Sequence, residues 1–158
     1  MTVNMNDSFD NLRNVLSDLL VGASLKSFDW DSFFSVSFLS RNEPSLPPEL
    51  RLTLCNNWSF HSLEKFVVAG QEALTPLDVN DCARGYVLAG IATKEVKFVE
   101  IIGGVVEIGF SGGVVMSIPL KNSDDPEEDS FILKTPEWVE QERQRYVEVG
   151  GEGEVSIS

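Results

Sequence analysis

From Asp7 to Val21 the apolar residues Phe9, Leu12, Val15, Leu16, Leu19 and Leu20 recur at the spacing of one helical face. Asn6 or Asp7 offers a cap and Gly22 a stop, so the pattern predicts an amphipathic helix. The period then changes to two. Phe28 and Trp30 alternate with polar residues, and Phe34, Val36 and Phe38 alternate with serines, which predicts two half-buried strands separated near Asp31. Residues 40 to 48, with Pro44, Pro47 and Pro48, read as a loop.

Leu50, Leu52 and Leu54 share one face of a further strand, and Asn56-Asn57 then suits the positive φ of a tight turn. A hairpin returning through Trp58 and Phe60 is predicted there. Phe66 to Val68 reads as a short strand, Leu74 to Asp81 as a loop, and Asn80 to Leu88 as a helix interrupted by Gly85. Lys94 to Ile102, Val105 to Phe110 and Val114 to Leu120 are β-branched runs joined by Gly103-Gly104 and Gly112-Gly113, turns short enough to force antiparallel neighbours. The run VEIGFSGGVVM, residues 106 to 116, also overlays LRLTLCNNWSF, residues 50 to 60, turn on turn.

After an acidic loop, Phe131 to Leu133 reads as a short strand. Thr135-Pro136 looks like a helix start, with proline at the first helical position, and predicts a last helix from Pro136 to about Glu148. The expected fold is α+β: an antiparallel sheet built from hairpins, flanked by an N-terminal and a C-terminal helix. Residues 1 to 150 form the expected single domain, and 151 to 158 a flexible tail.

Composition narrows the class. A length of 158 residues with 42% hydrophobic and 23% charged residues describes a chain able to bury a core of its own. Cys55 and Cys82 stand apart without a CxxC pair or a histidine cluster, so neither a zinc site nor a disulfide scaffold is indicated. No secretory leader or membrane-length apolar run is visible in the sequence, and the expected location is the cytoplasm.

Charge changes the picture most. The 25 acidic and 12 basic residues give a net charge of -13, which repels nucleic acid and anionic membrane surfaces. The surplus is uneven: residues 121 to 158 alone carry 11 acids against 4 bases. Asp124, Asp125, Glu127, Glu128 and Asp129 lack the central glycine and ligand spacing of an EF-hand loop, so they read either as a solvated loop or as a docking surface for a basic partner. Glu137 and Glu140 would extend that surface along the last helix, with Arg143 and Arg145 partly offsetting them.

Catalytic signatures fail on context. Gly109-Phe110-Ser111-Gly112-Gly113 satisfies GxSxG, but a nucleophile elbow leads into a helix, whereas Val114 onward reads as strand. The one histidine, His61, precedes Ser111, the reverse of the hydrolase order. Asp29-Trp30-Asp31 resembles a DxD metal site, yet alternation puts both aspartates on the solvent side of a strand. The glycine pairs lead into strands, so no phosphate-binding loop is present. No catalytic residue, cofactor or metal is therefore expected.

Trp58-Ser59-Phe60, the stretch Gly104 to Ile118 (GVVEIGFSGGVVMSI) and Glu137-Trp138 together resemble a pattern of small uncharacterised bacterial α+β proteins. Some of these resemble the immunity proteins of polymorphic and contact-dependent toxin systems. The resemblance spans roughly residues 50 to 138 and carries over no functional residue. It implies a small cytosolic inhibitor that covers the active site of a basic toxin, with complementary charge speeding association. A phage-encoded acidic inhibitor that mimics nucleic acid against a host defence complex has the same physical traits.

Overall fold

A computed structural model describes residues 5–30, 33–62, 66–68, 71–73, 90–91 and 93–158. It is mostly antiparallel sheet with one helix near the N-terminus among the described residues. The predicted loop at Leu74 to Asp81 and the predicted helix at Asn80 to Leu88 lie outside the described residues, as does Cys82.

Helix α1 spans Met5–Leu20, so Asn6 and Asp7 lie within the helix and not at the position before it. Leu12, Leu16, Leu19 and Leu20 face the core. Its last turn carries no basic residue. The exposed carbonyls are met from a distant loop: the Arg41 guanidinium donates to the carbonyls of Asp18 and Val21 at 2.8 and 2.9 Å. Gly22, at φ +87°, ends the helix.

The strands β1 (Ser24–Trp30), β2 (Phe34–Leu39) and β3 (Glu49–Leu54) join β10 (Phe131–Lys134), β11 (Tyr146–Val149) and β12 (Val155–Ile157) in a six-stranded sheet of order β1-β2-β3-β10-β11-β12. The strands β4 (Ser59–Ser62), β7 (Val96–Ile102), β8 (Val105–Phe110) and β9 (Val114–Pro119) form a second sheet of order β4-β9-β8-β7. β5 (Phe66–Val68) and β6 (Gln71–Ala73) pair as a hairpin of their own. A Ser24–Glu95 bridge ties β1 to the start of β7, with Leu25 N–H donating to the Lys94 carbonyl.

The apolar positions of both large sheets and of α1 meet in one core. Phe38 stacks on Phe110 across the sheets at 6.4 Å, and Trp58 stands edge-on to both Phe34 and Phe60. Burial of each of these rings removes an area worth about 1.5–3 kcal/mol from water.

Three expectations are corrected. First, β3 and β4 are not a hairpin: β3 pairs with β2 and β10, whereas β4 pairs with β9. Asn56 marks a change of sheet, its side-chain amide donating to the carbonyls of Pro119 and Lys121 at 2.9 Å each, so the overlay with residues 106 to 116 does not extend to pairing. The glycine-turned runs do form hairpins, with Ile102 opposite Val105 and positive φ at Gly103 and Gly104.

Second, the C-terminal helix is not formed. Residues 136 to 145 are a loop with one 3-10 turn at Gln141–Arg143, and Tyr146–Val149 is strand β11. The polar stretch 140 to 145 leaves a helix without an apolar stripe in its middle, while Val147 and Val149 satisfy a strand facing the core. Gln144 donates instead to the carbonyls of Pro136 and Val139, and Arg143 to that of Leu46 at 2.9 Å.

Third, residues 151 to 158 are not a frayed tail. Val155–Ile157 is strand β12, paired with β11, and Tyr146 and Ser158 exchange backbone hydrogen bonds at 2.9 Å.

Candidate functional site

The acidic loop is a built structure. Asn122, 2% exposed, donates from its amide to the carbonyls of Cys55 and Asp129 at 3.2 and 3.1 Å, and its side-chain oxygen accepts the Asp125 N–H at 3.1 Å. A buried asparagine satisfied on both sides in this way fixes the loop ends to the end of β3. Inside the loop, Glu128 N–H bonds the Asp125 carbonyl at 3.1 Å and Glu127 N–H the Asp125 carboxylate at 3.3 Å.

The same loop is clamped to the turn between β11 and β12. Asn122 N–H donates to the Gly151 carbonyl at 2.8 Å. Backbone packs on backbone: a Cβ at position 151 would lie 2.2 Å from the Pro126 carbonyl oxygen and 2.3 Å from that of Glu128. Glu154 folds its side chain over Gly150 and accepts the Glu152 N–H at 3.1 Å. Glu148, on the solvent face of β11, accepts from the Tyr146 hydroxyl at 2.9 Å.

One end of the six-stranded sheet therefore gathers Asp124 through Asp129 with Glu148, Glu152 and Glu154. Burial, then a hydrogen bond shared with Glu148 and the charges of Glu148, Glu128 and Glu154, raise the pKa of Asp129 above the ordinary carboxylate value. Hydrogen bonding to Glu148 likewise raises Tyr146, with burial and the charges of Glu148 and Asp129 adding to it. The neighbouring Cys55 thiol is pushed up to about 11 by burial and by Asp129 and Glu128, which keeps it protonated and poorly nucleophilic at neutral pH.

Glu137 and Glu140 do not join this cluster. They follow the opposite end of β10, a strand of 4 residues whose first and last residues stand roughly 10 Å apart at ~3.3 Å per step. Glu140 is turned to Arg143 at 3.3 Å. The sequence, read with a C-terminal helix and a loose tail, places Glu148 with Glu137 and Glu140 on that helix and misses Glu152 and Glu154. The signal that could have found them is the alternation of Val147 with Val149 and of Val155 with Ile157 about a Gly-Glu-Gly turn.

Ser111 lies in the β8–β9 turn, where its hydroxyl accepts the Glu95 N–H at 3.2 Å. His61 meets a different serine. Its Nδ1 is 2.9 Å from the Ser117 hydroxyl, and its Nε2 is 3.9 Å from Glu107, the three residues coming from β4, β9 and β8. Sequence spacing carried no trace of this contact, because sheet register alone brings positions 61, 107 and 117 together. The carboxylate stands beyond hydrogen-bonding reach of the ring, so the group is a cross-strand polar contact and not a tightened relay. Asp29 is exposed on β1, and no cluster of metal-ligating side chains occurs among the described residues.

No helix among the described residues is long and apolar enough to cross a membrane. No family model, curated protein or solved structure matches this chain.

Proposed function

We propose that the chain is a non-catalytic, protein-binding inhibitor of the immunity type, neutralising a basic bacterial toxin in the cytoplasm through its acidic sheet end. The observation that carries this reading is the construction of that end. Like-charged carboxylates a few ångströms apart repel by about 1 kcal/mol even in water, yet the loop that displays them is pinned by a buried asparagine and clamped to a second turn. A fold that merely needed a connection could leave the loop loose and the charges apart. A rigid negative surface instead speeds encounter with a cationic protein and limits the ordering entropy lost on docking.

The docking residues in this proposal are Asp124, Asp125, Glu127, Glu128 and Asp129, joined by Glu148, Glu152 and Glu154. Glu137 and Glu140 fall outside the patch. The test is binding to the product of the adjacent gene, measured against salt concentration for the intact chain and for Asp124→Lys/Asp125→Lys/Glu127→Lys. The expected result is a loss of at least tenfold in affinity, mostly in the on-rate, with a shallower salt dependence. Unchanged affinity and salt slope would refute the surface. Covalent labelling of Ser117 by a fluorophosphonate, abolished by His61→Ala in a folded protein, would overturn the non-catalytic part.

A further inference from the structure

The outer face of the six-stranded sheet carries a feature of the opposite sign. Arg51 on β3 and Lys134 on β10 are directly opposed in register and both are exposed. Antiparallel partners stand ~4.5–5.5 Å apart at Cβ, and like charges so placed destabilise the sheet. In a chain with 25 acids against 12 bases, carboxylates are in surplus, yet neither cation has a hydrogen bond or ion pair among the described residues. Two acids stand close by: Glu49 is directed to Lys26 at 3.4 Å, and Glu137 forms no ion pair with either cation.

Beside this pair lies a groove of about 390 Å³, lined by Glu49, Arg51, Lys134, Pro136, Glu137 and Trp138. That volume suits a small ligand. Trp138 is 68% exposed, but its loop is fixed: the neighbouring Val139 is buried, and Gln144 donates to the Pro136 and Val139 carbonyls at 3.1 and 2.6 Å. An indole displayed on a held loop, next to two unneutralised cations, presents a flat apolar wall and an oxyanion anchor together.

We propose that Arg51, Lys134 and Trp138 form a binding site for a small ligand bearing a phosphate or carboxylate group on a planar ring. The cations take the oxyanion and the indole stacks on the ring. Glu49 and Glu137, which line the same groove, with the overall charge of -13, disfavour a polyanion such as nucleic acid. The site lies at the other end of β10 from the acidic loop and does not depend on the inhibitor reading.

The test titrates the full chain with phenyl phosphate, benzoate and uncharged phenol at low salt, following calorimetric heat and tryptophan fluorescence. Saturable binding of phenyl phosphate or benzoate, absent with phenol and weakened at least tenfold in Arg51→Gln/Lys134→Gln, supports the site, and the preferred probe names the oxyanion. The fluorescence change should vanish in Trp138→Phe. In the unliganded protein Lys134→Gln should hold or raise Tm, since it relieves the opposed charges. No saturable response to either anion, or binding indifferent to both the Arg51/Lys134 and the Trp138 substitutions, overturns the proposal.

Discussion

The two ends of β10 handle charge in opposite ways. At the Phe131 end, carboxylates are crowded on a loop whose backbone is tied down by Asn122 and by contact with Gly151. At the Lys134 end, two cations stand side by side on the open sheet face, and the adjoining loop is held by side chains that donate to its carbonyls. In both places repulsion is tolerated because rigid backbone surrounds it. Stability at each end therefore resides in uncharged contacts, and the charges sit on top of it.

Breaking that contrast begins with the contact that supports the acidic end. Asn122→Ala removes both donors and the acceptor of a buried amide, leaving the Cys55 and Asp129 carbonyls without it. The expected loss is about 2–4 kcal/mol, read by urea denaturation, with faster amide exchange at Asp125. Gly151→Ala drives a Cβ into the carbonyls of Pro126 and Glu128, and should destabilise by about 1–3 kcal/mol on the same measurement. Wild-type stability in either variant would show that the clamp does not hold the loop.

The charges themselves should matter less. Asp129 has its pKa raised in the folded state, so its contribution to stability is fully present below the unfolded pKa and is lost as pH rises through the folded one. Neutral pH is on the unfavourable side of that window. Glu148→Gln, which keeps an acceptor for Tyr146, should raise Tm at pH 7 by about 1–2 °C, and the gain should disappear in acid. Ultraviolet titration of the same variant should show Tyr146 moving back toward its ordinary pKa.

Smallest of all should be Trp138→Ala at the other end. The indole is exposed and its loop is held by Val139 and Gln144, so stability should change by no more than about 0.5 kcal/mol. A large loss would mean that the indole braces the loop, and would sharpen the contrast by moving Trp138 among the supporting residues.

Much of the fold was legible in the residues. The apolar spacing of Phe9 to Leu20 announced α1, and the alternation in Phe34 to Phe38 and Leu50 to Leu54 announced β2 and β3. The glycine pairs announced the β7–β8 and β8–β9 turns. The C-terminal quarter misled because Thr135-Pro136 and a glutamate-rich run imitate a helix start, whereas Arg143 and Gln144 satisfy distant and local carbonyls that a helix would have used otherwise. Of the proposed docking residues, the loop 124–129 was visible as a run. Glu148 was visible only as part of a supposed helix, and Glu152 and Glu154 were not visible, since all three join the loop through the pairing of β11 with β12.

What the sequence determined by itself was local: where period two gives way to 3.6, where glycine permits a reversal, and where the acids are dense. Each of these depends on neighbours within a few residues, so the chain states it directly. Which strands pair, which loop meets which turn, and that Arg51 faces Lys134 or His61 reaches Ser117 were decided by register across distant segments. Register is set by how the shared core closes, with Phe38 against Phe110 and Trp58 against Phe34, and a one-residue slip would turn every one of those faces outward.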